Sequence, residues 1–175
     1  MKERPWYVIT GGPGAGKTTT VASLAAREYT ILPEVARELF KERMAIGQTI
    51  KEIRGDMLNF QHQVIERSLA QEALVPQDKT TFLDRGIPDG IAYYRFFGIP
   101  EDATIHNALA KTSYKKAFVL DLVSFEKDEE RKESTNEAFQ LHEMMHTVYE
   151  ELGVETIRVP LMGVDERVEF ILANL

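Results

Sequence analysis

The sequence contains no cysteine, and this absence excludes several classes of protein. Without thiols there is no disulfide framework, no cysteine nucleophile and no zinc or iron–sulfur centre built on thiolates. No apolar run approaches the roughly 18 residues that a membrane-spanning helix needs. The stretch before Gly11 is too short and too soon interrupted to be a signal peptide's apolar region. We therefore expect a cytoplasmic protein without a membrane span.

The charge balance is acidic, with 21 lysines and arginines against 28 aspartates and glutamates, so the net charge is −7. A protein that binds nucleic acid or an anionic membrane by charge needs a basic face, so neither partner is expected. The 175 residues suit a single domain, and 43% hydrophobic residues can supply its core. The composition predicts a soluble single domain, 1–175, with a small partner, and it leaves the oligomeric state open.

Short apolar runs alternate along the chain with segments of helical period. The predicted strands are short and rich in β-branched or aromatic residues: Trp6–Thr10, Tyr29–Leu32, Thr80–Leu83, Ala117–Leu122 and Glu155–Val159. Helical periods cover Thr19–Ala26, Lys51 to about Leu74, Ile105–Thr112, Ala138–Leu152 and Val164–Leu175, and a capping box of Ser134 and Glu137 opens the fourth of these. Strands separated by helices require crossovers, which predicts an α/β three-layer domain with a mostly parallel sheet and helices on both faces.

A glycine-rich loop between the first strand and the next helix is the most specific motif. It follows the pattern G-x-x-x-x-G-K-T, and its expected phosphate-binding residues are Gly11, Gly12, Pro13, Gly14, Ala15, Gly16, Lys17, Thr18 and Thr19. The glycines let backbone N–H groups surround a phosphate, and the helix start adds its free N–H groups. Lys17 can bridge the β- and γ-phosphates, and the Thr18 hydroxyl can ligate Mg²⁺. The motif predicts a nucleoside triphosphate site.

Charged residues stand at three strand ends, where parallel α/β sheets bind ligands. Asp84 is a candidate Mg²⁺ ligand, Arg85 can clamp a phosphate of the acceptor, and Glu34 can accept a hydroxyl proton. Asp121, at the fourth strand, is as compatible with a structural role. The alternative for each of these residues is a helix cap or a surface ion pair.

Eight consecutive charged residues occupy 126–133. One interpretation is a solvated loop, which is how most charge runs behave. The other is a lid over about 125–134 that folds over the nucleotide and brings Arg131 to the transferring phosphoryl group. The position between a strand and a helix favours the lid.

A second motif, His142-Glu143-x-x-His146, has the spacing of a metalloprotease zinc site, with Glu166 as an imaginable third ligand. The apolar stripe of its helix places His142 at the stripe's edge and His146 farther round. We therefore favour packing histidines and keep a zinc hydrolase only as a weak alternative.

Taken together, these residues resemble the P-loop nucleoside and nucleotide kinases. The likeness is closer to the AAA-labelled ATP-binding domains grouped with nicotinamide riboside kinase, and it rests on Gly11–Thr18, Pro33-Glu34-Val35-Ala36-Arg37, Asp84-Arg85-Gly86 with Pro88-Asp89, and Arg131 before Glu133-Ser134. It implies a P-loop NTPase fold with a five-stranded parallel sheet, ATP with Mg²⁺, and phosphoryl transfer to a small hydroxyl-bearing acceptor. Gly86 departs from the polar or aromatic residue usual there, which leaves the acceptor unspecified.

The leading hypothesis is therefore a small-molecule kinase. Its catalytic residues would be Lys17, Glu34, Asp84, Arg85 and Arg131, with Thr18 and Asp84 as metal ligands. Its acceptor pocket would use Arg37, the helix from Lys51 to Leu74, and Tyr93. The rival is a regulatory ATPase or GTPase switch without a small-molecule acceptor; the base-reading motif N-K-x-D is absent, which favours ATP over GTP.

Overall fold

The computed structural model describes residues 4–122 and 132–175. Five strands alternate with helices in this part of the chain. The strands are β1 Trp6–Thr10, β2 Thr30–Leu32, β3 Thr81–Asp84, β4 Lys116–Leu120 and β5 Glu155–Val159. The helices are α1 Lys17–Ala26, α2 Val35–Ala45, α3 Ile50–Gly55, α4 Met57–Leu74, α5 Ile87–Phe96, α6 Ala103–Leu109, α7 Lys132–Glu151 and α8 Val164–Ala173.

All four strand pairings are parallel, in the order β2-β3-β1-β4-β5. The central strand β1 pairs Ile9 with Asp84 on one side and Thr10 with Val119 on the other. The carboxyl ends of β1 and β3 are therefore adjacent. The five predicted strands and the α/β class are confirmed, with strand bounds shifted by two residues at most.

Helices cover both faces of the sheet, and the side chains of β1 alternate between the two faces. Tyr7 and Ile9 pack on one side with Val21 of α1 and Val168 of α8. Trp6 and Val8 pack on the other side, where Tyr149 of α7 joins them. A neighbouring cluster adds the buried faces of α4, α5 and α7. The three-layer prediction is confirmed. No helix in the described ranges has the length and apolar character to cross a membrane.

Several helix boundaries differ from the expectation. The predicted helix from Lys51 to Leu74 is two helices that break at Asp56, whose φ of −126° and ψ of 53° leave the helical region. Gly55 precedes the break and lowers the helical preference there. Helix α7 begins at Lys132, so Ser134 lies inside the helix and is not its N-cap.

Two helices, α2 and α5, were not predicted at all. Most residues of α5 are buried, so it lacks the one-sided apolar stripe by which surface helices are recognised. Helix α2 has the opposite composition, with only Val35 and Leu39 buried among charged neighbours. Both helices follow strand ends and carry residues of the candidate site.

Candidate phosphoryl-transfer site

The loop Gly11–Thr18 connects β1 to α1, as the motif requires. Gly16 is the N-cap of α1 with a φ of 79°, in the left-handed region that favours glycine. Gly11 has a φ of 131°, and a Cβ there would lie 2.7 Å from the Leu120 carbonyl oxygen. The loop therefore needs glycine at both positions. Both have a positive φ, and at Gly11 a side chain would also collide with the Leu120 carbonyl oxygen.

Lys17 is buried and folded over its own loop. Its Nζ donates to the carbonyl oxygens of Gly11 and Gly12 at 2.9 and 3.0 Å. Burial lowers the pKa of Lys17 to about 7, and the Arg85 guanidinium adds to this effect. The side chain is thus held beside the phosphate-binding backbone by bonds that phosphate oxygens can replace.

Arg167 of α8 lies against the same loop from the sheet face covered by α1. Its Nη1 donates to Thr20 Oγ1 at 3.1 Å and, at 3.4 Å, to the carbonyl oxygens of Ala15 and Gly16. The residue is 7% exposed, and no described carboxylate pairs with it. Burial lowers the pKa of Arg167. No local signal in the sequence points to this residue, because about 150 positions separate it from the loop.

The strand-end charges form one cluster beside the loop. Glu34 is the N-cap of α2, and its Oε1 accepts from Arg85 Nε at 3.0 Å. Glu34 Oε2 lies 3.1 Å from Arg37 Nη2, and Arg37 Nη1 in turn donates to Thr18 Oγ1 at 3.1 Å. Asp84 ends β3 directly before Arg85. The structure thus brings the predicted residues of three separate segments together; their catalytic roles stay predictions.

Arg85 is held in an uncommon conformation, with a φ of 73° in the left-handed region. Its Nη1 lies 3.0 Å from Asp89 Oδ1 and 3.3 Å from Met145 Sδ, and its guanidinium lies 5.6 Å from the centre of the Tyr93 ring. Two carboxylates, a thioether and a ring fix its position. A phosphate-clamping role for Arg85 therefore requires it to share its donors with Glu34 and Asp89.

Asp89 is a central residue of the cluster, and no role was predicted for it from the sequence. Its carboxylate accepts from Thr10 Oγ1, from Arg85 Nη1, from the Gly86 N–H at 2.9 Å and from the Tyr149 hydroxyl at 2.6 Å. The available sequence signal was local: Asp89 lies three residues after Gly86 and four after Arg85, the spacings of a helix cap and of a helical ion pair.

The residues present fit a magnesium ion beside the loop. Asp84 is buried, and no described residue bonds to its Oδ1. Burial raises the pKa of Asp84, and the Glu34 carboxylate raises it further. A hard divalent cation would satisfy that oxygen, and Thr18 Oγ1 lies at the start of the same loop–helix junction. Thr18 and Asp84 are therefore the residues that would hold Mg²⁺ together with phosphate oxygens and water.

A cleft of about 360 Å³ opens beside this cluster. Arg37 and Glu34 line one end, and Tyr93 and Phe97 stack on each other at 6.4 Å and 12°. The remaining lining residues come from α2 and α4: Ala36, Phe40, Lys41, Met57, Phe60 and Gln61. The volume lies within the range of roughly 300–1,000 Å³ that is usual for small-molecule sites. The predicted pocket residues Arg37 and Tyr93 meet here, whereas Gln61 and Phe97 were not individually singled out.

The remaining candidates fall outside this cluster. Asp121 Oδ1 lies 3.9 Å from Arg158 Nη1, with which it forms a surface ion pair. Arg131 and residues 125–131 of the expected lid lie outside the described residues.

The structure gives the histidine motif no zinc geometry. His142 is buried, not at the edge of the apolar stripe, and its Nδ1 accepts from the Gly12 N–H at 3.2 Å. His146 faces Glu150, and Glu166 caps the N–H of Gly163. Across 4–122 and 132–175, no three histidine or carboxylate side chains are grouped as a metal site would require.

The chain belongs to the AAA domain family, which its sequence matches over residues 6–167. No curated protein matches the sequence. Among solved structures, the thymidylate kinase of Ehrlichia chaffeensis superposes with a TM-score of 0.70 at 13% identity, over 97% of each chain. A deoxyadenosine kinase of M. mycoides, described with products dCMP and dCDP bound, gives 0.64 at 15% identity over 97% of each chain.

The NadR protein in complex with NR is also similar, with a TM-score of 0.66 at 18% identity over 88% of this chain. This chain spans 43% of the length of that NadR chain. These likenesses establish the P-loop kinase-like fold of the chain. The resemblance inferred from the sequence is confirmed at this level.

Proposed function

We propose that the protein binds ATP with Mg²⁺ at the loop Gly11–Thr18 and transfers the terminal phosphoryl group to a hydroxyl group of a nucleoside-like acceptor in the aromatic cleft. One observation carries this proposal: Glu34 and Arg37 line the cleft, and Arg37 also contacts Thr18 of the loop. The sites for donor and acceptor are therefore contiguous, with a carboxylate at the junction. The kinases of similar fold support the class of reaction.

The reaction needs an acid–base group at that junction. The acceptor oxygen would attack the γ-phosphorus, a new P–O bond would form, and the bond from phosphorus to the β,γ-bridging oxygen would break to release ADP. Glu34 would accept the proton of the acceptor hydroxyl. Arg85, already paired with Glu34, would hold that carboxylate toward the cleft.

Charge on the transferring group would be offset by the loop. Lys17 would exchange its bonds to the Gly11 and Gly12 carbonyl oxygens for bonds to the β- and γ-phosphates. Mg²⁺, held by Thr18 and Asp84, would supply Lewis-acid neutralisation of the phosphate oxygens.

The cleft favours a planar acceptor. Tyr93 and Phe97 offer an aromatic wall at one side, and Gln61 offers an amide donor and acceptor at another. A base attached to a ribose could contact the wall while its hydroxyl group reaches Glu34. The NadR and deoxyadenosine kinase structures, described with NR and with dCMP respectively, are consistent with this class.

The test is ADP release by the purified protein with ATP, Mg²⁺ and a panel of nucleosides, nucleotides and ribosylated vitamins. Acceptor-dependent release with a phosphorylated product is the expected result. Slow release that is independent of every acceptor would instead identify a regulatory ATPase. With the active acceptor, Glu34→Gln should lower kcat about 100-fold or more. Glu38→Gln, an exposed carboxylate on the same helix, is the matched control and should retain the rate.

A further inference from the structure

One face of α7 contacts the candidate site through three residues that lie on successive turns of the helix. His142 bonds to Gly12 of the phosphate loop, Met145 contacts Arg85, and Tyr149 bonds to Asp89. Positions three and four residues apart lie on one side of a helix. This helix face therefore supports the nucleotide side and the acceptor side together, and of these three side chains His142 is the one that bonds to the loop.

The contact between His142 and Gly12 is close and buried. His142 is 2% exposed, and the Gly12 N–H donates to its Nδ1 at 3.2 Å. A Cβ at Gly12 would lie 3.0 Å from the His142 Cβ and 2.7 Å from the Ala138 carbonyl oxygen. The backbone of α7 is thus packed directly against the loop, and the imidazole satisfies the N–H that this packing shields from water.

The bond requires a neutral imidazole. Because Nδ1 accepts, the ring proton must be on Nε2, and a ring protonated on both nitrogens has no acceptor left. We propose that His142 is a positioning residue for the phosphate loop: its neutral ring fixes Gly12, and protonation releases Gly12 and weakens nucleotide binding. The inference rests on the proposed nucleotide site and concerns the state of that site.

The surroundings of His142 bear on the pH at which this happens. Burial lowers its pKa, and Arg158 of β5 and His146 of α7 act in the same direction. Glu143 of α7 and Asp121 after β4 oppose them, with the His142 Nε2 lying 3.8 Å from Glu143 Oε1. The ring is therefore neutral at pH 7.5, and the change is expected below its ordinary value of 6.5.

Asparagine is the conservative replacement, since its side-chain oxygen can take the place of Nδ1 and does not titrate. Leucine keeps the bulk without an acceptor. We would measure the affinity for ATP with Mg²⁺ by calorimetry from pH 7.5 to 5.5 in the wild type and in the variants His142→Asn, His142→Leu and His106→Asn. Titration of ATP itself contributes equally to all four proteins.

The expected pattern has three parts. His142→Leu should bind ATP about tenfold more weakly at pH 7.5, because the Gly12 N–H is left buried without a partner. His142→Asn should match the wild type at pH 7.5 and lose affinity less than the wild type at pH 5.5. His106→Asn, at an exposed position on α6 away from the loop, should keep the wild-type profile. Equal profiles for wild type and His142→Asn would overturn the proposal.

A second measurement does not depend on nucleotide or on the folding of a variant. The Gly12 amide resonance of the wild-type protein without nucleotide should shift with pH, with its midpoint below 6.5. A Gly12 resonance that is constant over this range would contradict the role of His142 even if ATP binds. Absence of ATP binding in the wild type, with the expected Gly12 shift, would refute the proposed nucleotide site and leave the His142 contact intact.

Discussion

The hydroxyl group of Tyr149 donates to Asp89 Oδ2 at 2.6 Å, linking α7 to the start of α5. Both residues are buried, with Tyr149 at 0% and Asp89 at 2% exposure. Asp89 Oδ1 also accepts hydrogen bonds from Thr10 of β1 and from Arg85, which follows β3. This one carboxylate therefore joins the central strand, the strand-end arginine and two helices.

Tyr149→Phe removes one donor from that carboxylate without changing the packing of the ring. The free energy of unfolding should fall by about 1–2 kcal/mol, because a buried charged acceptor loses a hydrogen bond. Urea denaturation measures the change. The control is Tyr29→Phe, whose ring packs against Phe82 and whose hydroxyl group has no hydrogen-bond partner among the described residues. A loss as small as that of the control would mean that Asp89 does not depend on Tyr149.

Glu72 should make the protein less stable as the pH rises. It is 6% exposed, accepts from the Tyr114 hydroxyl at 2.6 Å, and has a pKa that burial raises from 4.5 to about 7. Because the folded state holds the proton of Glu72 more tightly than the unfolded state does, the stability that this carboxyl group contributes is greatest below pH 4.5. It declines as the pH increases toward 7. At about 1.4 kcal/mol per pKa unit, the loss by pH 8 is up to about 3 kcal/mol.

Glu72→Gln should flatten that dependence, since the amide cannot ionise. Unfolding free energies at pH 5 and pH 8 measure it, and the difference between the two should shrink by most of the predicted loss. Glu66→Gln, an exposed position on the same helix, should leave the wild-type difference unchanged. An identical pH dependence in wild type and Glu72→Gln would show that the carboxyl group ionises without cost.

Gly86→Ala should disturb the strand-end cluster for reasons of space. The φ of Gly86, −117°, suits any residue, but a Cβ would lie 2.8 Å from the Tyr149 hydroxyl oxygen and 3.1 Å from Val8 Cγ2. Overpacking of this kind costs about 1–3 kcal/mol. Thermal unfolding should detect it. Gly55→Ala, where a Cβ meets nothing within 4 Å, should be neutral or stabilising.

This steric limit also explains a departure seen in the sequence. The polar or aromatic residue usual after the strand-end Asp-Arg pair has no room here, because Tyr149 and Tyr114 occupy its place. The packing of α7 and Tyr114 therefore accounts for the glycine at position 86.

The sequence revealed the features that are local in the chain. The loop from Gly11 is contiguous, so its residue types and its strand–loop–helix context were sufficient to predict its place between β1 and α1. The strands were found because buried parallel strands are short apolar runs between breakers. Glu34 and Asp84 followed from the rule that ligands bind at the carboxyl ends of strands. The structure places both beside the loop, although their roles remain to be tested.

The features that depend on distant packing were not predictable. Asp89 and Tyr149 are 60 positions apart, and nothing in the spacing shows that α7 presents Tyr149 to α5. At His142 the helical period predicted a position at the edge of the apolar stripe, whereas the structure buries the ring against Gly12. Helical periodicity gives the buried side of a helix but not the neighbour that covers it.

Arg167→Met offers a test of whether a buried charge is retained for ligand binding. Arg167 is 7% exposed, three of its four hydrogen bonds are 3.4 Å long, and no described carboxylate balances it. A buried charge without a counter-charge carries a desolvation cost, and an apolar side chain of similar size removes that cost. The unfolding free energy of the variant should therefore lie within about 1 kcal/mol of the wild type or above it.

Nucleotide binding should respond in the opposite direction. The guanidinium lies against the carbonyl oxygens of Ala15 and Gly16, so it both orients the loop and places a positive charge near the phosphates. Arg167→Met should weaken ATP binding about tenfold at low salt and less at high salt, because salt screens part of the attraction. Arg27→Met is the matched control: it breaks the exposed Arg27–Glu169 ion pair between the same two helices and should change neither quantity appreciably. If Arg167→Met lost stability but kept its affinity for ATP, the role of the arginine would be to stabilise the packing of α8 against the loop.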